Sequence, residues 1–282
     1  MILFLTNVKY LSLSVVSSLE FCYRALIPSL FPCMVISSVI LYTIRIRGDF
    51  KIINFILDNC KTYANEIFLG WLCGFVIGAR GICQKYKYYN DENAFNRSVF
   101  LTSNVSLAFV VGCVGIVIWQ NVIFGIYLYL IQIISSLLIF KIQGKGKECS
   151  IASDTIQPQT LTSSLIKAIK SSTDSIITIC GFNIFFSSVS DLINRYLSSD
   201  KFKIINTLIF DFSRGSFGVV KINDLLFSSF LTGFCIGFGG LCVHMQIFAE
   251  CEGYPLNKLK FTFLKTIQGL ICGIFALIFN FL

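Results

Sequence analysis

Four polar side chains interrupt stretches of this sequence that are otherwise almost wholly apolar: Arg80, Asn104, His244 and Gln246. A guanidinium can clamp a carboxylate through two parallel hydrogen bonds. An imidazole can hold a ligand or pass a proton, and an amide can donate and accept at once. Polar or ionisable groups at membrane depth are functional-site candidates by default. Each also has a plainer reading: Arg80 as an anchor at a membrane boundary, His244 as a packing residue bonded to a free carbonyl, Asn104 as a link between helices. Catalysis finds little support. There is one histidine, no His-Glu-x-x-His, no Gly-x-Ser-x-Gly, and no lysine in the glycine run Gly237-Phe238-Gly239-Gly240. Neither enzymatic activity nor a cofactor or metal is expected. The 12 cysteines form no Cys-x-x-Cys pair and read mainly as small buried hydrophobes.

The elements that carry these residues must lie in lipid. Of 282 residues, 55% are hydrophobic and only 13% charged, with a mean hydropathy of +0.76. So few charges cannot clothe a water-soluble surface, which excludes a soluble enzyme, a nucleic-acid binder and a disordered chain. The net charge of +8 comes from short Lys/Arg clusters between apolar stretches, the pattern of membrane flanks. The first apolar stretch lacks a basic leader and a small-x-small cleavage site, so its helix is expected to be retained.

Charge-free intervals give the spans. Ser98 to Phe140 runs 43 residues, about 64 Å as one helix and too long for a core of about 30 Å, so two helices with a turn at Gln120 and Asn121 are expected. Single spans are expected at 25–44, 175–190 and 261–282. Segments 52–67 and 161–171 read as amphipathic pieces on the membrane surface. Lys9, Glu20 and Arg24 fall on one helical stripe, facing a polar pathway, headgroups or a neighbouring subunit.

Two intervals behave differently. Ile67 to Ala79 is too short to cross and contains Gly70, Gly74 and Gly78. Leu225 to Ala249 is punctuated by Gly233, Gly237, Gly239 and Gly240. Both read as re-entrant or broken helices; the alternative is glycine used for close helix packing.

The chain also reads as duplicated. Ser37-Ser38-Val39 matches Ser187-Ser188-Val189 at an offset of 150, and Phe50-Lys51-Ile52-Ile53-Asn54 matches Phe202-Lys203-Ile204-Ile205-Asn206 at 152. Phe68-Leu69-Gly70 pairs with the segment ending at Gly233 at about 162. The expected organisation is one membrane domain, with repeat one at about 25–141, repeat two at about 173–282 and a polar linker at 142–162. An odd number of crossings between them makes the repeats inverted. Duplicated broken helices are the sequence mark of a secondary transporter's binding site.

Several motifs resemble those of the sporulation integral membrane protein YlbJ family, which is related to the nucleoside recognition (Gate) domain of transporters. They are Leu30-Phe31-Pro32-Cys33-Met34-Val35-Ile36-Ser37-Ser38, Gly74-Phe75-Val76-Ile77-Gly78-Ala79-Arg80, the Asp91–Gly115 region with Asn104, and Gly237-Phe238-Gly239-Gly240-Leu241-Cys242-Val243-His244-Met245-Gln246. Val76 stands where that family has proline, and Val105-Ser106 where it has an Asn-Pro step. Asp211 stands in place of a glutamate and Cys242 in place of a serine. The resemblance implies a multi-pass cell-membrane protein of spore formation, placed in the outer membrane of the developing spore. It also implies a small-molecule permease, with a dipicolinate-like dicarboxylate as cargo.

The expectation is therefore an all-α polytopic membrane protein of about six transmembrane helices plus two re-entrant or broken ones. A small anionic solute would bind at Gly74, Gly78, Arg80, Asn104, Gly239, Gly240, His244 and Gln246. The lipid bilayer and that solute are its expected partners, with no nucleic acid and the oligomeric state open. The alternatives are a non-transporting scaffold for spore assembly and a nucleoside-type transporter.

Overall fold

The computed structural model describes residues 7–43, 62–144 and 160–281, whose regular structure is all helix, with no strand among them. Residues 52–61 of the expected 52–67 segment, the repeat copy at 50–54 and most of the linker at 142–162 lie outside the described residues. In chain order the helices are α1 (Val8–Phe21), continuing through a π-helical turn (Cys22–Leu26) into α2 (Ile27–Thr43); α3 (Ala64–Cys73) and α4 (Phe75–Tyr89); α5 (Glu92–Thr102) and a π-helix (Ala108–Ile118); α6 (Val122–Ile142); α7 (Leu161–Asn194); α8 (Asp200–Phe210) and α9 (Phe212–Val219); α10 (Leu225–Phe238) and α11 (Gly240–Glu250); and α12 (Lys258–Ile278).

Side-chain caps start many of these helices. Asp91 accepts from Asn93 N and Ala94 N, Asn121 from Phe124 N, Asp224 from Phe227 N, and Asn257 from Lys260 N. Each satisfies first-turn N–H groups that no preceding turn can reach.

Four helices are long and apolar enough to cross a membrane: Val122–Ile142, Leu161–Asn194, Leu225–Glu250 (α10 and α11 together) and Lys258–Phe281. α1 with its π-helical turn (Val8–Leu26) and the Leu30–Ile40 part of α2 form a further apolar pair bent by 50°, at the break that follows the turn and contains Pro28. These helices make the chain a multi-pass membrane protein. α6 shows why. Ile126, Leu130, Ile134, Leu138 and Ile142 are exposed along one face, while Gln132, Ser135 and Ser136 are buried on the other. A helix with its apolar face outward and its polar face inward suits lipid, not water.

Two expectations need correction. Leu161–Ser171 is not a separate surface helix; it is the first part of α7, which at 34 residues is about 51 Å long. The Ser98–Phe140 interval does turn at Gln120, which has φ 51°, but its first half is not one continuous helix, because the chain unwinds between Thr102 and Ala108. In the N-terminal stripe, Glu20 and Arg24 pair with each other at 2.9 Å on an exposed face.

The glycines divide between two jobs. Gly233 and Gly237 lie against α12: a Cβ on Gly233 would sit 2.4 Å from Cys272 O, and one on Gly237 2.7 Å from Gln268 O. Gly70 and Gly78 face each other, with a Cβ on Gly78 only 2.9 Å from Gly70 Cα. Eight residues of straight helix would separate those two by about 12 Å. α3 and α4 therefore fold back on one another as a hairpin. The residue at its tip is Gly74, at φ 103° and ψ 172°, a conformation a side chain would resist.

Candidate functional site

A cavity of ≈ 330 Å³ opens where the helical interruptions meet, at the lower end of the range for small-molecule sites. Its lining includes Gly74 at the α3–α4 tip, Val105 and Ser106 between α5 and the π-helix, Asp211 between α8 and α9, and Cys242 and Gln246 just beyond the α10–α11 break. Phe75, Phe109, Phe212 and Phe217 supply aromatic wall, and Asn183 of α7 supplies an amide.

Each interruption leaves backbone groups that need partners. α8 and α9 form a second hairpin: a Cβ on Gly215 would sit 2.7 Å from Leu208 Cα. Asp211 turns it. One carboxylate oxygen accepts from Ser213 N (3.1 Å) and Arg214 N (3.4 Å), capping α9, and the other from Asn183 Nδ2 (3.0 Å) and Ser187 Oγ (2.8 Å). Four donors fill its acceptor positions. At the α5 break, the Gln132 amide grips the unwound Val105 peptide from both sides, donating to its O (2.7 Å) and accepting from its N (3.3 Å). At the α10–α11 break, Gly239 and Gly240 have φ 85° and 76°, and His244 Nε2–H donates to the freed Phe238 O at 2.9 Å.

Of the eight residues expected in the site, Gly74 and Gln246 line this cavity. Gln246 donates to Cys242 Sγ at 3.1 Å, and its buried Oε1 has no partner. The other six stand elsewhere. Gly78 packs in the α3–α4 hairpin, with Thr102 Oγ1 between it and Gly70. Gly239 and Gly240 form the α10–α11 break, and His244 closes it. Asn104 donates to Leu101 O and Ser136 Oγ and accepts from Gln268 Nε2 at 2.9 Å, so it fastens helices together. Arg80 forms a two-pronged ion pair with Glu250, Nε to Oε2 at 3.2 Å and Nη2 to Oε1 at 2.9 Å. Ser175 also donates to that carboxylate.

Asp211, Asn183 and Ser106 were not expected at a site. Asp211 is buried, and its neighbour Arg214 pairs instead with Asp191 at 3.2 Å. Asn183 lies in the charge-free interval 175–190 with no glycine break or motif around it, and what marks it, the bond to Asp211, is made across 28 residues. Among the described residues, no Lys, Arg or His lines the cavity, and no cluster could hold a metal ion. No known protein family, curated protein or solved structure matches this chain.

Proposed function

We propose that this protein is a membrane permease for a small, uncharged, ring-bearing solute of about nucleoside size. The observation that carries the reading is the ≈ 330 Å³ cavity at the meeting of four interruptions: the hairpin tips at Gly74 and Asp211, the unwound Val105–Ser106 and the α11 residues after Gly240. A scaffold needs no such hollow. Helices broken around a solute site are the arrangement on which alternating access operates.

The lining argues for an uncharged cargo. Aromatic walls favour a flat ring. Gln246 Oε1 offers a free acceptor, and the N-terminus of α4 after Gly74, which has no side-chain cap, offers N–H donors. A dicarboxylate would meet the Asp211 carboxylate and no cation, since Arg80 is already paired with Glu250. Like charges at close range in a poorly solvated site repel strongly. The sporulation setting and the developing spore's outer membrane rest on the resemblance of residues 30–38, 74–80 and 237–246.

The crossing scheme that fits this reading has six traverses: α1–α2, α5 with the π-helix, α6, α7, α10–α11, and α12. The two hairpins, α3–α4 and α8–α9, enter and return. The second returning element is then α8–α9 and not the 225–249 segment. Supporting a duplication, like features recur at nearly constant spacing. Gln132 and Gln268 are 136 residues apart, as are the caps Asn121 and Asn257, and the tips Gly74 and Asp211 are 137 apart. This spacing differs from the 150 to 162 read from short sequence matches. Three traverses separate the hairpins, so the repeats are inverted.

The test is uptake into proteoliposomes of a labelled nucleoside and, separately, labelled dipicolinate. The nucleoside should enter, and Gln246→Leu should reduce its uptake at least tenfold. Entry of dipicolinate alone would overturn the solute assignment, and entry of neither, with the chain inserted and folded, would overturn the permease.

A further inference from the structure

We propose that the Lys265 ammonium is a tethered occupant of a monovalent-cation site built at the end of α5. Lys265 is 1% exposed and lies in α12. Its Nζ donates to Ser103 O at 2.5 Å and to Gln268 Oε1 at 2.8 Å. No Asp or Glu pairs with it among the described residues. The ammonium is therefore balanced by dipoles and not by a counter-charge.

Those dipoles are aimed before the lysine arrives. α5 ends at Thr102, so Ser103 O lies just past the negative end of a helix, beyond its last i to i−4 bond, Ser103 N–H to Val99 O. Asn104 Nδ2 is held by Leu101 O and Ser136 Oγ, which turns Asn104 Oδ1 toward Gln268. Gln268 Nε2 donates to that oxygen at 2.9 Å and to Gln132 O at 3.0 Å. With its nitrogen so engaged, Gln268 must present Oε1 to Lys265. The Phe100 ring stands 5.8 Å from Nζ, within range of a cation–π attraction. Carbonyl oxygens at a helix break, converging on one point inside a membrane protein, make a place for a dehydrated cation. Here a lysine fills it permanently, so the protein needs no free monovalent ion to hold this break. The inference stands whatever the solute is.

The experiment shortens the side chain and offers the missing charge from solution. Purified full-length Lys265→Ala and Lys265→Met are unfolded thermally in detergent, in choline chloride or ammonium chloride at equal ionic strength. Lys265→Ala should melt several degrees below the wild type in choline, and ammonium should restore it in a saturable way, as a ligand of the folded state does. Lys265→Met fills the space with an apolar chain, so it should also melt low and gain nothing from ammonium. The wild type should not respond. If Lys265→Ala does not fold, Lys265→Ser takes its place, with a hydroxyl to join the oxygens. A shortened variant that folds but responds to ammonium no more than to choline overturns the proposal. So does a Lys265→Met variant as stable as the wild type.

Discussion

The Arg80–Glu250 pair ties the α3–α4 hairpin to the far end of the broken span α10–α11, and its contribution can be estimated. The two side chains are 8% and 17% exposed, so solvent screens them little. Two nearly parallel hydrogen bonds join them, and Ser175 is the further donor to the carboxylate. Arg80→Met would strand a partly buried carboxylate on one hydroxyl. Removing one partner of a buried pair costs about 3–5 kcal/mol, and the residual exposure of Glu250 places this case near 3. That is roughly a hundredfold change in the folded-to-unfolded ratio. Removing both charges is different: an apolar pair of similar volume is often neutral or better. Arg80→Met with Glu250→Leu should therefore recover most of the loss, giving a coupling energy of about 2–3 kcal/mol in a double-mutant cycle. The assay is denaturant unfolding of the four proteins in detergent. Simple additivity, with the double variant as weak as the sum of the singles, would refute the argument. The same cycle, read in uptake, would separate a latch from a substrate contact. A latch variant keeps its preference between solutes, whereas a contact variant loses it.

Three further outcomes are expected. Gly78→Ala places a methyl 1.8 Å from Thr102 Oγ1 and 2.9 Å from Gly70 Cα, an overpacking that should cost about 1–3 kcal/mol in thermal unfolding; Thr102→Ala should return part of it, and an unaffected Gly78→Ala would contradict the hairpin. Gln132→Leu leaves both polar groups of the Val105 peptide unpaired, at about 1–3 kcal/mol each, so hydrogen exchange at residues 103–106 should quicken at least tenfold; unchanged exchange would show that the amide does not hold the break. Cys83 and Cys251 lie with sulfurs 3.5 Å apart, so a membrane-permeant oxidant should link them, as peptide mapping will detect, and the link should stop transport if α4 and α11 part during the cycle.

Much of the architecture was legible because lipid imposes coarse rules. The 43-residue interval had to fold into two pieces, and the turn at Gln120 follows from length alone. The glycine segments were recognisable as irregular, but sequence could not divide their labour. Gly74 and Gly239 break helices, whereas Gly70, Gly78, Gly233 and Gly237 let helices approach, and that difference depends on what lies opposite. At 103–106 the sequence offers no proline, only Val105-Ser106 where the resembled family has an Asn-Pro step, so a full interruption was not legible there. Its peptide groups are satisfied by Gln132, which arrives from another helix 27 residues on. The cavity was misjudged for a related reason. Arg80 carries the charge that suggests a substrate clamp, but it is neutralised by Glu250, whose proximity across 170 residues is a property of the fold. Asp211 carries a charge three residues from Arg214 in sequence, and only the α8–α9 hairpin buries it.

The Thr102 hydroxyl lodged between Gly70 and Gly78 has a mechanical corollary. With that peg through its waist, the first hairpin cannot slide along α5 without shearing through solid packing, so the two must travel as one piece. Any motion that uncovers the hollow therefore has its hinge outside this piece, and a search for moving parts should begin at the bend joining α1 to α2 and along the length of α7.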